Sequence, residues 1–218
     1  MKELFEKYLG PAYGSNIPIN IVEHSACDRF GLNDPKACRD CLYKTSYFYK
    51  SCGDYRVSEH YSESTVRWFI LEDIFQFYNK TPLSLGGCCD VFMYSNNTIL
   101  LCDMTCARPI YLEDHENNHE KINGKRDVAY RQLQDSIKKL YGCPEINNLI
   151  SQVPNRIALL SMRKKQFAIE DQELDAVKFM SPFFSMTDEI NSDRIVFYDM
   201  GCGFKFGVQE YPCIYNWE

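Results

Sequence analysis

The chain has 218 residues, of which 45% are hydrophobic and 25% charged, a composition typical of a globular protein rather than a disordered one. Its formal charge of -6 argues against a nucleic-acid binder that acts alone through a basic face. No apolar run approaches the roughly 18 residues of a membrane span, and the first residues lack a secretory pattern. We therefore expect a cytoplasmic protein with no membrane contact.

Residues 1–55 are predicted to be an irregular, cysteine-rich N-terminal extension with several turn sequences. Four of its residues have the spacing C-x10-C-x2-C-x10-C: Cys27, Cys38, Cys41 and Cys52. A CxxC pair supplies two thiolates for one tetrahedral zinc ion, so these four are a candidate structural zinc site, with His24 and His60 as alternative ligands. The interpretation that we favour is free, buried cysteines.

Residues 56–165 are predicted to form the core of the fold. Residues 62–79 read as a buried helix, because Val66, Ile70 and Ile74 follow a helical period. Two strand-like runs, CCDVFMY and TILLCDMT, flank Ser95-Asn96-Asn97 and predict a β-hairpin over residues 88–105. Residues 127–141 read as a second helix, and the run RIALLSM reads as another strand.

Residues 166–218 are predicted to complete the same domain with a partly helical stretch and a closing hairpin, RIVFYDMGCGFKFGVQ. The order of elements is helix, strand, strand, helix, strand, with mostly short connections. This order predicts a mixed α/β fold, with a small central mixed sheet flanked by helices.

The predicted hairpin carries two carboxylates among apolar residues, Asp90 at the start of one strand and Asp103 near the end of the next. A carboxylate in such surroundings is costly unless it is paired or binds a cation. Two of them can converge on one Mg²⁺, which prefers oxygen ligands and keeps several waters. Asp90 and Asp103 are therefore candidate ligands for Mg²⁺ or Mn²⁺. The alternative is that both residues only bond to nearby amides or face solvent at a strand edge.

On these residues the sequence resembles the PD-(D/E)xK nuclease superfamily over roughly residues 62–165. That family has a helix, a strand with Asp, a strand with Asp/Glu-x-Lys, and a helix often bearing Gln; the matching positions are Asp90, Asp103-Met104-Thr105 and Gln132. The glutamate of the family's first helix best matches Glu63, with Glu72 as second choice. The resemblance implies a restriction-endonuclease-like core and metal-dependent phosphodiester hydrolysis with a catalytic set of Glu63, Asp90, Asp103 and Gln132.

The family's lysine falls at Thr105, which carries no charge. Lys125, just before the second helix, is the nearest substitute. If no lysine takes the role, the fold serves as a catalytically degenerate scaffold for protein interactions. The resemblance also implies a bacterial nucleic-acid-processing or antiviral defence complex, with protein partner subunits through which DNA or RNA is reached. Basic residues around Lys125 and Arg126 suit either phosphate binding or, as we favour, a solvated helix face.

A second alternative is a zinc peptidase, because His115-Glu116-Asn117-Asn118-His119 formally matches HExxH. In that motif the two histidines lie one helical turn apart, and the glutamate acts as general base. The Asn-Asn pair is a poor helix interior and the flanking residues are acidic, so we expect a surface loop without zinc.

Overall fold

The computed structural model describes residues 1–33, 48–49, 57–80, 85–107, 114–117, 120–164, 195–210 and 213–217. Its helical segments are α1 (Lys2–Leu4), a π-helical turn (Phe5–Leu9), α2 (Gly10–Ala12), α3 (Leu71–Asn79), α4 (Lys125–Tyr141) and α5 (Pro144–Gln152). Its strands are β1 (His24–Leu32), β2 (Phe48–Tyr49), β3 (Ser58–Ile70), β4 (Val91–Tyr94), β5 (Thr98–Ala107), β6 (His115–Asn117), β7 (Glu120–Ile122), β8 (Asn155–Lys164), β9 (Phe197–Asp199), β10 (Lys205–Glu210) and β11 (Ile214–Asn216).

Within these described residues the protein is a mixed α/β fold around one open, mixed sheet. Eight strands lie side by side in the order β2-β1-β3-β4-β5-β8-β10-β9, and β11 pairs in parallel with β3. Strands β5 and β8 are parallel over ten registered pairs, and α4 and α5 form the crossover between them. A parallel pair requires such a long connection, which explains why the helices lie between these two strands in the chain.

The predicted hairpin of residues 88–105 is confirmed, since β4 and β5 pair antiparallel from Val91↔Cys102 to Tyr94↔Ile99. The Ser95 amide closes the turn on the Thr98 carbonyl at 2.9 Å. The predictions of a helix at 127–141 and of a strand at RIALLSM are confirmed by α4 and β8. The closing hairpin is confirmed as β9 and β10, while the partly helical stretch predicted between 166 and 190 lies outside the described residues.

The predicted helix over residues 62–79 is wrong in its first half. The chain stays extended through Ile70 as β3, and only Leu71–Asn79 is helical. The local sequence explains this, because Val66 and Trp68 are buried while Arg67 between them is exposed, which is the two-residue period of a strand. β-branched and aromatic residues in this stretch also favour a pleated surface. The change to helix at Leu71 coincides with hydrogen bonds from Leu71 and Glu72 to a neighbouring segment.

The two faces of the sheet carry separate cores. The helices of the described residues pack on one face, where Phe5, Leu71 and Leu133 join the fully buried Phe92 and Leu101. The opposite face buries a second cluster that includes Trp68, Leu100, Leu159 and Trp217. Residues of the N-terminal region therefore contribute to the main core and, through β1, to the sheet. Within the described ranges, no helix combines the length and apolar composition that a membrane span requires.

Candidate functional site

Two carboxylates meet across the β4–β5 hairpin. Asp90 immediately precedes β4, and the register pair Val91↔Cys102 sets it opposite Asp103 at the next position. Directly opposed residues in an antiparallel pair have Cβ atoms roughly 4.5–5.5 Å apart. Asp103 is only 6% exposed, and Asp90 is half-buried. The structure thus brings together the two residues that the sequence singles out as metal ligands.

Asp90 is fixed from two sides by backbone groups. Its carboxylate Oδ2 accepts a hydrogen bond of 2.7 Å from the Met104 amide. Its carbonyl oxygen accepts bonds from the amides of Leu71 at 2.8 Å and Glu72 at 3.2 Å, at the start of α3. The first turn of α3, with its carboxylate Glu72, therefore adjoins the residue that carries the Asp90 side chain.

Glu72, the second choice from sequence, lies near the site, whereas Glu63, the first choice, does not. Glu63 is exposed in β3, seven residues before Ile70, which pairs with Val91. At about 3.3 Å per residue, seven strand residues span roughly 23 Å. The structure consequently does not bring Glu63 to the carboxylate pair. Glu63 fits the site only if residues 62–79 are all helical, whereas the chain is extended through Ile70.

Gln132 lies on α4 against the segment that leads into Asp90. Its Nε2 donates to the Cys88 carbonyl at 3.4 Å, so the side chain contacts backbone two residues before Asp90. Two further α4 side chains, Ser136 and Lys139, contact the same segment. Sequence reasoning missed both, although their spacing from Gln132 places them on the same helix face.

The position to which the resemblance assigns a lysine is occupied by Thr105. Thr105 lies two residues after Asp103 and hence on the same face of β5, and it is 8% exposed. Lys125 is the first residue of α4 and is exposed. The carboxylate pair therefore has a short neutral hydroxyl beside it in place of an ammonium group.

Two buried cysteines, Cys88 and Cys89, lie on the side of the carboxylates, while Cys102 lies on the opposite face of β5 with Ser58 and Ser161; all three are protonated thiols at neutral pH. Burial raises the pKa of the Cys88 thiol, and the negative charges of Glu72, Asp90 and Asp103 raise it further, although Lys139 opposes them. Burial likewise raises the pKa of Cys89, and that of Cys102 to about 12. Because the thiolate is the reactive form, these cysteines are poor nucleophiles.

The chemistry available to the pair is that of a hard-cation site with few protein ligands. In the part of the chain that the structure describes, no group of three or more His, Cys, Asp or Glu side chains is arranged to hold a metal. Mg²⁺, however, is commonly bound by one or two carboxylates together with waters and substrate phosphate. Asp90 and Asp103 fit that minimal donor set.

The structure bears on the HExxH zinc hypothesis, whereas most of the proposed cysteine zinc site lies outside the described residues. Residues His115–Asn117 form β6 and pair with β7, so the helix that HExxH zinc binding requires is not present over His115 and Glu116, and His119 lies outside the described residues. In the cysteine cluster, Cys27 is exposed in β1, while Cys38, Cys41 and Cys52 lie outside the described residues.

A second polar cluster is buried on the opposite face of the sheet. Ser58 Oγ lies 2.7 Å from His60 Nε2 and 2.8 Å from Ser161 Oγ. The Gln209 Oε1 atom accepts from Ser161 at 2.7 Å and from Ser58 at 3.1 Å. Sequence reasoning missed this cluster, whose only signal is single polar residues within apolar strands.

This Ser–His contact is not a nucleophile and base. The Trp217 indole can only donate, and its Nε1 lies 3.3 Å from His60 Nδ1, so Nδ1 is the acceptor. Burial lowers the pKa of His60 to about 3, which makes the ring neutral with its proton on Nε2. His60 therefore donates to Ser58 and cannot take its proton, and both side chains are fully buried. The cluster ties β3, β8, β10 and β11 together.

Comparison with family models, with curated proteins and with solved structures gave no match.

Proposed function

We propose that this chain is a nuclease-like domain of the PD-(D/E)xK type, which binds Mg²⁺ or Mn²⁺ at Asp90 and Asp103 and hydrolyses nucleic-acid phosphodiesters. The observation that carries the proposal is the position of Asp90 opposite Asp103 at the open end of the β4–β5 hairpin. The succession of α3, the β4–β5 hairpin and, after β6 and β7, α4 supports the proposal, with Asp90 directly before β4, Asp103 in β5 and Gln132 on α4. We propose equally that these elements form a restriction-endonuclease-like core.

The sheet around the pair supports it. Parallel strands β5 and β8 end together at the register pair Ala107↔Lys164, four residues beyond Asp103, and α4 follows β5 in the chain after the short strands β6 and β7. Ligands of open α/β sheets commonly bind beyond the carboxyl ends of the strands. Lys125 and Arg126 begin α4 on this side, so cationic groups adjoin the edge where a phosphate would lie. The exposed Lys125 can contact a nucleic-acid phosphate. Such a contact needs positive charge at that point of the surface and not a positive net charge of the whole chain.

A bound Mg²⁺ or Mn²⁺ would act as a Lewis acid and would lower the pKa of a water bound to it. Asp90 and Asp103 would hold the ion, and the Met104 amide keeps the Asp90 carboxylate in place. Burial of Asp103 limits competing water on that side of the pair. Thr105 cannot neutralise the charge that develops on the phosphoryl oxygens, so a cation from α4 or from a partner subunit takes that role.

The experiment is a cleavage assay on single- and double-stranded DNA and RNA, with Mg²⁺ or Mn²⁺ and with native partners. Asp103→Ala should lower the rate by at least about 10²-fold, comparable to the loss of one preorganised electrostatic group. Asp135→Ala, which removes an exposed aspartate of α4, is the matched control and should cut normally. Undiminished cutting by folded Asp103→Ala would refute the proposed site.

A second candidate function is a non-catalytic scaffold on the same fold, acting through protein partners in a nucleic-acid-processing or defence complex. The specific observation in its favour is the neutral Thr105 beside Asp103. Wild-type protein that never cuts with its partners and both metals would establish this alternative over catalysis.

A further inference from the structure

One face of α4 forms hydrogen bonds to the backbone of residues 87–89, the segment directly before Asp90. Three polar side chains spaced four and three residues apart lie along this face and each contacts the segment 87–89: Gln132, Ser136 and Lys139. The contact of Ser136 is the most buried of the three. The Cys89 amide donates to Ser136 Oγ at 2.9 Å, and both residues are fully buried.

The Ser136 hydroxyl makes two hydrogen bonds, one as acceptor and one as donor. It accepts from Cys89 and donates to the Gln132 carbonyl at 2.8 Å, so its rotamer is fixed by the helix itself. The amide that donates to Ser136 Oγ belongs to Cys89, the residue directly before Asp90. A displacement of this amide therefore moves the start of β4, where the Asp90 carboxylate is held against Met104.

Lys139 fastens the other end of the same segment. Its Nζ donates to the Gly87 carbonyl at 2.6 Å and lies 5.0 Å from the centre of the Phe75 ring on α3. Desolvation on partial burial lowers the pKa of Lys139, so the ammonium group is held here at some cost and is not simply extended into water. The side chain thus connects α4, the segment before Asp90 and α3, whose first turn bonds to the Asp90 carbonyl.

We propose that Ser136 and Lys139 are positioning residues, which act through the backbone of residues 87–89 to set the Asp90 carboxylate opposite Asp103. The inference rests on the proposed function, since it treats Asp90 as a ligand of the divalent cation. Residues that orient metal ligands typically change metal affinity by about 10–100-fold when they are removed. Gln132 belongs to the same set, so its role is to hold backbone and not to contact substrate.

The test uses the full chain with Ser136→Ala and Lys139→Met. Ser151→Ala on α5 and Lys138→Met on α4 are matched controls, because each removes the same group from an exposed position. Lys139→Arg is the rescue variant, since it restores a cationic donor toward Gly87. The first readout is hydrogen exchange of the Met104 amide, which reports the position of the Asp90 carboxylate without any metal. The Leu159 amide in β8 serves as the internal reference for global opening.

The second readout is Mn²⁺ affinity, measured by titration calorimetry well below the unfolding temperature. We expect Met104 exchange to rise at least about tenfold in both variants with Leu159 unchanged, and Mn²⁺ affinity to fall by about 10–100-fold. The controls and Lys139→Arg should match wild type. If Ser136→Ala fails to fold, Lys139→Met alone decides.

The outcomes separate this inference from the proposed function. Unchanged Met104 exchange in a folded variant overturns the positioning role, whatever the metal does. Equal acceleration at Met104 and Leu159 also overturns it, because it shows only general loss of stability. Wild-type protein that binds no Mn²⁺ while Met104 exchange responds as expected overturns the metal site but leaves the fastening of Asp90 in place.

Discussion

The Asp90 carboxylate accepts a hydrogen bond of 2.7 Å from the backbone amide of Met104, the residue that follows Asp103. This bond lies beyond the last registered pair of the β4–β5 ladder, Val91↔Cys102. At this position a side-chain carboxylate takes the place of the backbone carbonyl that would extend the ladder. The Asp90 carboxylate is therefore held next to β5 by the protein itself, without a bound ion. A preformed pair of this kind requires little reorganisation when a cation binds.

The neutral residue beside Asp103 gives the first prediction. In Thr105→Lys the new amine projects from the same face of β5 as Asp103, where it can stabilise charge on a phosphoryl oxygen. We expect cutting in Mg²⁺ to rise at least about tenfold over wild type. The measurement is single-turnover cleavage of labelled DNA and RNA.

Thr105→Met is the matched control, because it lengthens the side chain without adding charge. Equal rates for the lysine and methionine variants would contradict the assignment of this position. Activity that appears only in Thr105→Lys would identify the wild-type chain as a degenerate scaffold.

The buried His60 gives a prediction of pH dependence. Its pKa is about 3 in the folded protein against an ordinary 6.5, so the unfolded chain binds one more proton between these values. The stabilisation is therefore complete above pH 6.5 and is lost as the pH falls toward 3. Between pH 6.5 and 4.5 we expect the free energy of unfolding to fall by about 2 kcal/mol more in wild type than in His60→Gln.

Urea unfolding at several pH values measures this difference. His24→Gln makes the same substitution at an exposed histidine and is the matched control. Parallel curves for wild type and His60→Gln would show that His60 is not held neutral.

The buried thiols of the β4–β5 hairpin and of the segment before it give a third prediction. Cys88, Cys89 and Cys102 are buried with raised pKa values, so they should resist alkylation at pH 7.5. The exposed Cys27 and Cys202 should react first. Peptide-level mass spectrometry after brief iodoacetamide treatment distinguishes the two groups. Early labelling of Cys88 in the native protein would place its thiol in a different environment.

The fourth prediction concerns zinc. Because His115 lies in a strand, we expect no stoichiometric zinc that depends on His115 and His119. Elemental analysis of purified wild type and His119→Ala tests this, with Cys41→Ser as the comparison for the cysteine cluster. One equivalent of zinc that is lost in His119→Ala but kept in Cys41→Ser would contradict it.

The sequence was informative where local rules decide the structure. The β4–β5 hairpin follows from apolar runs around an Asn-Asn turn, and it carries Asp90 and Asp103 to opposed positions without help from distant residues. Helix α4 follows equally from its apolar stripe, which includes Leu133 and Ile137. Both interpretations concern residues close together in the chain.

Sequence reasoning failed where distant contacts decide. Val66, Ile70 and Ile74 fit a helix, but β1 and β4 flank β3 and keep it extended. Ser136 lies 47 positions from Cys89, and Lys139 lies 52 positions from Gly87, so neither contact has a local signature. The same reason explains why Glu72 and not Glu63 lies near Asp90. The helix begins only at Leu71, where the amides of Leu71 and Glu72 donate to the Asp90 carbonyl.

The contact between His60 and Trp217 joins positions 157 residues apart, which has a consequence for biosynthesis. At about 5–20 residues per second, a ribosome needs roughly 8–30 s to add the second partner after the first. Residues 59–61 of β3, which pair with β11, must wait for that time without this neighbour, and Gln209 and Trp217, the partners of Ser58 and His60, are made equally late. Such a late closure leaves this part of the strand edge exposed while the rest of the chain is being made. It also makes this sheet slow to assemble after dilution from denaturant, because non-local strand pairing is entropically costly.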